Sequence, residues 1–204
     1  AVPAGTSANV TVAASDISDP PAMAKFVAAR PDVIFHLASI VSGEAETDFD
    51  KGYRINLLGM LGLLEAIRRT GDGYRPKVVF TSSIAVFGAP FPDSIPDEFH
   101  LTPLTSYGTH KAIGELLLAD YTRKGFLDGV GIRLPTICVR PGRPNKAASG
   151  FFSSIIREPL AGEEAVLPVS ESVRGIPRPR GRSLARRDRP PQRADDAGHL
   201  LHRR

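Results

Sequence analysis

The feature that most narrows the folds open to this chain is an alternation. Short β-branched or apolar runs take turns with longer segments whose apolar residues fall at helical spacing. Val10-Thr11-Val12 is a short β-branched run, and Pro20-Pro21 then opens a helix over residues 22–29, at a position where proline is tolerated. After Pro31-Asp32, the run Val33-Ile34-Phe35-His36-Leu37-Ala38 lacks polar alternation and reads as a parallel strand covered on both faces. Residues 55–69 place Leu57, Leu58, Leu61, Leu64 and Ile67 at helical spacing, with Gly71 and Gly73 beyond the end. Val78-Val79-Phe80-Thr81 is the next buried strand. A proline-rich loop over residues 89–103 leads to a helix over 106–124, with Ile113, Leu116, Leu117 and Tyr121 on one face. Gly131-Ile132-Arg133-Leu134 resumes strand character. Such alternation with short connections predicts a parallel sheet with helices on both faces, a doubly wound α/β domain.

The 204 residues, 42% of them hydrophobic, suffice for one sizeable core and a small appendage. From Pro141 the texture shifts to Pro, Gly, Asn and Ala, followed by a short helical segment over 151–157, as if entering a second, smaller lobe spanning 141–173. Residues 174–204 have no apolar periodicity and are not expected to pack. The net charge of +4 belongs to this tail, which holds ten arginines against three aspartates. Residues 1–173 carry 16 basic and 19 acidic side chains, so a nucleic-acid partner is not expected. The tail also lacks the interleaved aromatics of a stacking platform. No run approaches a membrane span, and no basic region followed by an apolar stretch suggests a signal peptide. The lone Cys138 sits in an apolar run and reads as an inert thiol in a reducing, cytoplasmic setting.

The chemistry concentrates in Tyr107-Gly108-Thr109-His110-Lys111. Tyr107 and Lys111 are one helical turn apart and share a face. A free phenol has a pKa near 10, too high for a base at neutral pH, and a neighbouring ammonium favours the phenolate. So tuned, a tyrosine can take a proton from a hydroxyl or return one to a carbonyl. Ser83 follows the strand that contains Phe80, at the end of a parallel strand where open α/β sheets place their sites. Its hydroxyl can bond the same substrate oxygen; as a bare serine it can equally cap a turn.

These residues lie in longer motifs. Thr81-Ser82-Ser83-Ile84-Ala85-Val86-Phe87-Gly88, His36-Leu37-Ala38-Ser39, the helix from Asn56-Leu57-Leu58-Gly59 to Glu65-Ala66, and Tyr107-Gly108-Thr109-His110-Lys111 occur in that order. Together they resemble the extended short-chain dehydrogenases/reductases, the NAD-dependent epimerase/dehydratase family, over residues 10–173. Phe87 stands where that family usually has tyrosine. The resemblance implies a Rossmann-like fold, NAD as cofactor, Tyr107 as acid/base, Lys111 on the nicotinamide ribose and Ser83 orienting the substrate oxygen. It implies that Asp16 and Ile17 meet the adenine, that Leu37, Ala38 and Ser39 line the cofactor cleft, and that Pro135 and Thr136 lie near the nicotinamide. Asn56 matches a helix asparagine with either a structural or a site role. Family members commonly dimerise, so a homodimer is a further expectation.

The stretch from Arg133 to Ser149, with Phe151-Phe152-Ser153-Ser154-Ile155-Ile156-Arg157, is unlike nucleotide-sugar epimerases and is similar to the erythronate-type sugar-acid dehydrogenases of that family. That narrower resemblance implies oxidation of a four-carbon sugar acid at its 2-hydroxyl. Arg143 or Arg157 could then offer a bidentate fork to the carboxylate, with Asn145 and Ser154 on the other hydroxyls. No Gly-x-x-Gly-x-x-Gly turn occurs in the sequence, so the implied domain lacks its first β-α-β unit. Residues 1–140 then form a partial NAD-binding domain, 141–173 the start of a substrate lobe, and 174–204 a tail whose arginine-rich texture suggests translation out of frame. The competing readings are a nucleotide-sugar epimerase or dehydratase on the same scaffold, and a catalytically silent fragment.

Overall fold

The computed structural model describes residues 9–96, 98–136, 139–140 and 147–170. Helix α1 spans Pro20–Ala28, strand β1 Val33–His36, and the short helices α2 and α3 Ser42–Thr47 and Phe49–Gly52. A π-helical turn, Tyr53–Leu58, runs directly into α4, Gly59–Thr70. Strand β2 (Lys77–Ser83), helix α5 (Ser106–Arg123), strand β3 (Asp128–Leu134) and helix α6 (Phe151–Leu160) complete the order. The strands pair in parallel in the order β1-β2-β3, with Ile34 opposite Val78 and Ser82 opposite Arg133. This is the parallel α/β architecture that the alternation predicts. No helix among the described residues is long and apolar enough to cross a membrane.

One face of the sheet carries the core. Ile34, Val78 and Phe80 pack against Met23 and Val27 of α1, Met60, Leu63, Leu64 and Ile67 of α4, and Leu118 of α5. Each such side chain, fully buried, contributes about 1.5–3 kcal/mol by leaving water. The other face is different. Strand β1 alternates between exposed and buried residues, and Val33 and Phe35 stand 45% and 65% exposed. The expected double cover of this strand is therefore absent among the described residues, because the helices of the core cluster all meet the face that carries Ile34 and Phe80. Residues 10–12 form no strand, and Val10 and Val12 are exposed.

Two helices present faces other than those their periodicity suggests. In α4 the inward residues are Gly59, Met60, Leu63, Leu64 and Ile67, while Leu58, the last residue of the π turn before it, is exposed. The π turn is the reason: its wider i→i+5 winding shifts the helical phase between Asn56, which is buried, and Gly59. In α5 the buried positions include Lys111, Ala112, Gly114 and Leu118, while Leu116 points outward at 65% exposure. The helix docks through Gly114, where an added Cβ would stand 2.8 Å from Phe80 Cζ, so a small residue sets the approach.

Substituting Gly114→Ala is expected to destabilise the fold by about 1–3 kcal/mol, because Phe80 must shift within a filled core. The control is Gly62→Ala on α4, where a Cβ meets nothing within 4 Å. It is expected to gain up to about 1 kcal/mol from helix propensity. Urea unfolding of both variants checks the pair, and equal midpoints would contradict the docking argument.

Candidate active site

The site forms where the C-terminal end of β2 meets the first turns of α5. Strand β2 ends at Ser83, which caps a 3-10 turn, Ile84–Val86, by accepting a hydrogen bond from Ala85 N at 3.1 Å. Helix α5 starts beside it. Thr105 caps that helix by accepting from Gly108 N at 3.0 Å, which places Tyr107 in the first turn. Gly108 rides directly on the turn, since a Cβ there would lie 2.2 Å from the Ala85 carbonyl oxygen. No residue with a side chain fits this contact, and the contact brings Tyr107 to Ser83. The Ser83 hydroxyl accepts from Ala85 N, which leaves its own proton free for the phenol oxygen. That bond pulls the Tyr107 pKa down, and the charge of Arg140 does so too, but burial outweighs both and holds the phenol above its ordinary value.

Lys111 is only 3% exposed. Its Nζ donates to the Thr81 carbonyl at 2.8 Å and stands 5.0 Å from the Phe80 ring centroid and 5.5 Å from that of Tyr107. Burial brings its pKa down to about 8. The i, i+4 spacing thus sets the ammonium over the face of the Tyr107 ring. His36, at the end of β1, lies edge-on to Phe80 with ring centroids 5.6 Å apart. It is buried, neither ring nitrogen has a partner among the described residues, and burial with the Lys111 charge lowers its pKa to about 4. It is therefore neutral at physiological pH.

Asn56 belongs to the frame. Its Oδ1 accepts from Ile40 N at 2.8 Å and from Ser39 Oγ at 3.1 Å, and its Nδ2 donates to the Ile40 carbonyl at 3.3 Å. The π turn thus clasps the loop after β1, where Leu37 and Ala38 are exposed. Asp16 is not free: its carboxylate accepts from Ser18 N at 2.8 Å, Ser18 Oγ at 2.7 Å and Arg54 Nη1 at 2.8 Å, which lowers its pKa to about 2. Ile17 packs over Gly59 of α4. Pro135 and Thr136 follow β3, Thr136 exposed and Pro135 half-buried.

The substrate candidates divide. Arg143 and Asn145 lie outside the described residues, as do Cys138 and residues 174–204. Arg157 is already engaged: it donates to the Arg140 carbonyl at 2.9 Å, to Ser154 Oγ at 3.4 Å and to the Glu158 carboxylate. A free fork is not what it offers. Two features went unnoticed in the sequence. One is Arg140, whose charge reaches Tyr107. The other is a half-buried network on the inner side of α5, where Glu115 accepts from Ser82 Oγ at 2.5 Å and from Arg133 Nη2 at 2.7 Å. Glu115 lies one turn beyond Lys111, a spacing that could have drawn attention to it. Among the described residues, no cluster of His, Cys, Asp and Glu could hold a metal ion.

A parallel sheet with serine at a strand end and a Tyr-x-x-x-Lys helix across from it defines a Rossmann-type α/β class. The profile of the NAD dependent epimerase/dehydratase family matches residues 1–176, and the chain belongs to that family. It is 52% identical over 163 residues to the D-erythronate dehydrogenase of Cupriavidus necator, covering 80% of this chain and 50% of that protein. It is 53% identical over 157 residues to the D-erythronate dehydrogenase of Haemophilus influenzae, covering 76% and 49%. A crystal structure described as a nucleoside-diphosphate-sugar epimerase from Agrobacterium tumefaciens superposes with a TM-score of 0.80 at 70% identity, covering 86% of this chain and 52% of that one. The chain spans about half the length of the curated relatives it matches.

Replacing the buried ammonium separates stability from function. Because the folded Lys111 pKa lies below that of a free lysine, the native state disfavours the charge it carries at neutral pH. Lys111→Met is expected to unfold at higher denaturant at pH 7, by about 1–2 kcal/mol. The gain should shrink as pH rises from 8 past 10, where the native lysine has already lost its proton. Denaturant titrations across that range check the sign, and a variant less stable than wild type at pH 7 would refute it.

Proposed function

We propose that the protein containing this chain oxidises the 2-hydroxyl of a small sugar acid with NAD, converting D-erythronate to 2-keto-D-erythronate. The observation that carries the reading is the meeting of Ser83, Tyr107 and buried Lys111 at the end of β2. It occurs in a chain 52–53% identical to two proteins named D-erythronate dehydrogenase. A nicotinamide cofactor fits what is present. Lys111 holds three N–H donors in a buried position and gives one to Thr81, so the others can serve ribose hydroxyls. Leu37, Ala38 and Ser39, fixed through Asn56, would line the dinucleotide cleft, and Pro135 and Thr136 would border the nicotinamide. Asp16 and Ile17 order the entry to α1, and an adenine there would share the Asp16 carboxylate with Ser18 and Arg54.

A bound NAD would supply the hydride acceptor for C2 of the substrate. Ser83 orients the 2-hydroxyl by a hydrogen bond, and Tyr107, as phenolate, removes its proton while the carbon–oxygen bond becomes a carbonyl. Lys111 stabilises the negative charge around that oxygen. Ser154 lies close enough to Arg157 to belong to the frame of the substrate lobe, and Asn145 and Arg143 remain candidates for the remaining hydroxyls and the carboxylate. A homodimer through α5 and the helix formed by the π turn and α4, where Leu116 and Leu58 are exposed, completes the reading.

The test is NADH formation by the protein containing this chain. D-Erythronate is expected to give NADH and a UDP-sugar is not, and Tyr107→Phe should lower kcat/KM by about 10²–10⁴-fold. Full activity in Tyr107→Phe, or turnover of the UDP-sugar alone, would overturn the reading.

A further inference from the structure

The meeting of Tyr107 with Ser83 depends on where the first turn of α5 sits, and several of the contacts that hold this turn are local. Thr105 Oγ1 accepts from Gly108 N, Thr102 N donates to the Val86 carbonyl, and Gly108 rests on the Ala85 carbonyl. One bond comes from far away in the sequence. Glu46 of α2 accepts from Ser106 N at 2.5 Å, and Ser106 is the first residue of α5, next to Tyr107. A carboxylate on a backbone N–H makes a charge-assisted bond, and the helix dipole favours it at this end. Helix α2 is itself anchored on both sides. Ahead of it, Ser39 and Ile40 are bonded to Asn56. Behind it, Gly52 of α3 packs on Ala45, where an added Cβ would lie 3.4 Å from the Ala45 carbonyl oxygen, and Lys51 pairs with Glu44 at 2.6 Å. The same segment meets α5 again one turn further on. An added Cβ at Gly52 would stand 3.0 Å from His110 Cε1, and the rings of Tyr53 and His110 meet edge-on with centroids 4.5 Å apart. Residues 39–56 therefore grip α5 at Ser106 and at His110, on either side of Tyr107 along the chain.

We propose that Glu46 is a positioning residue for the reaction. Its bond to Ser106 holds the first turn of α5, and with it Tyr107, where the phenol meets the substrate oxygen beside Ser83. The inference rests on the dehydrogenase reading and adds to it a residue that acts through the helix backbone. Proton transfer depends steeply on placement, and a displacement of about 1 Å can cost about 10²-fold in rate. Ser106 is bonded directly to Tyr107, so loss of the Glu46 bond loosens the phenol while Lys111, one turn further on, stays held by Thr81. The effect therefore falls on the chemical step rather than on binding. The bond needs an oxygen that accepts, and the amide of a glutamine supplies one in the same place.

The experiment has two readouts. NADH formation from D-erythronate is measured in the protein containing this chain, and the Tyr107 ring signals, assigned with Tyr107→Phe, are followed by carbon NMR in the 204-residue chain. The variants are Glu46→Ala, Glu46→Gln and Glu44→Gln, the last of which weakens the Lys51 pair on the same helix and leaves the Ser106 bond in place. Glu46→Ala is expected to lower kcat about ten-fold, with KM for D-erythronate and for NAD within about two-fold of wild type. It should also shift or split the Tyr107 signals. Glu46→Gln should recover most of kcat, and Glu44→Gln should match wild type in both readouts. Wild-type kcat in Glu46→Ala, a loss confined to KM, a Glu46→Gln as slow as Glu46→Ala, or an equal loss in Glu44→Gln would overturn the proposal. If the wild-type protein does not oxidise D-erythronate, the substrate reading falls and the NMR readout decides for Glu46. Tyr107 signals unmoved in Glu46→Ala then overturn the proposal, and signals moved there but not in Glu44→Gln uphold it.

Discussion

Burying the ammonium of Lys111 is the constraint around which the rest of the site is arranged. A desolvated charge is unfavourable, and here a single backbone carbonyl and two aromatic faces offset part of the cost. The carbonyl belongs to Thr81, in the middle of a strand whose next residues are Ser82 and Ser83. Holding the lysine on that strand therefore fixes the register between α5 and the serine that faces Tyr107. The glycines of α5 permit the same approach from the packing side, Gly114 over Phe80 and Gly108 over the Ala85 carbonyl. In the proposed reaction the position of that charge is what the proton transfer would need, which accounts for the cost in stability.

The electrostatics around this point are partitioned by element. Glu115 takes Arg133 and Ser82, tying the ends of β2 and β3 to α5 on the inner side of the sheet. Glu158 takes Arg157 on α6. His36 stays neutral beside Lys111, so no second positive charge competes with the ammonium.

Much of this was legible in the sequence because strands and catalytic spacing are local signals. The parallel α/β order follows from runs such as Val78-Val79-Phe80 alternating with helical segments, and Ser83, Tyr107 and Lys111 follow from a strand end and an i, i+4 pair. The faces of α4 and α5 were not legible. A π turn carries no compositional mark, and α5 docks through Gly114 and Lys111 rather than through its leucines. The short helices Ser42–Thr47 and Phe49–Gly52 span too few turns to show a period. The engagement of Asp16 by Arg54 and of Arg157 by Glu158 depends on which side chains meet in space.

The central claim is that this site moves a hydride from C2 of a sugar acid to NAD while Tyr107 takes the hydroxyl proton. Turnover of D-erythronate deuterated at C2 addresses it directly. The account predicts deuterium in the NADH that accumulates, together with 2-keto-D-erythronate and a primary isotope effect on the rate. Deuterium retained in a sugar product, with no net NADH formed, would contradict it.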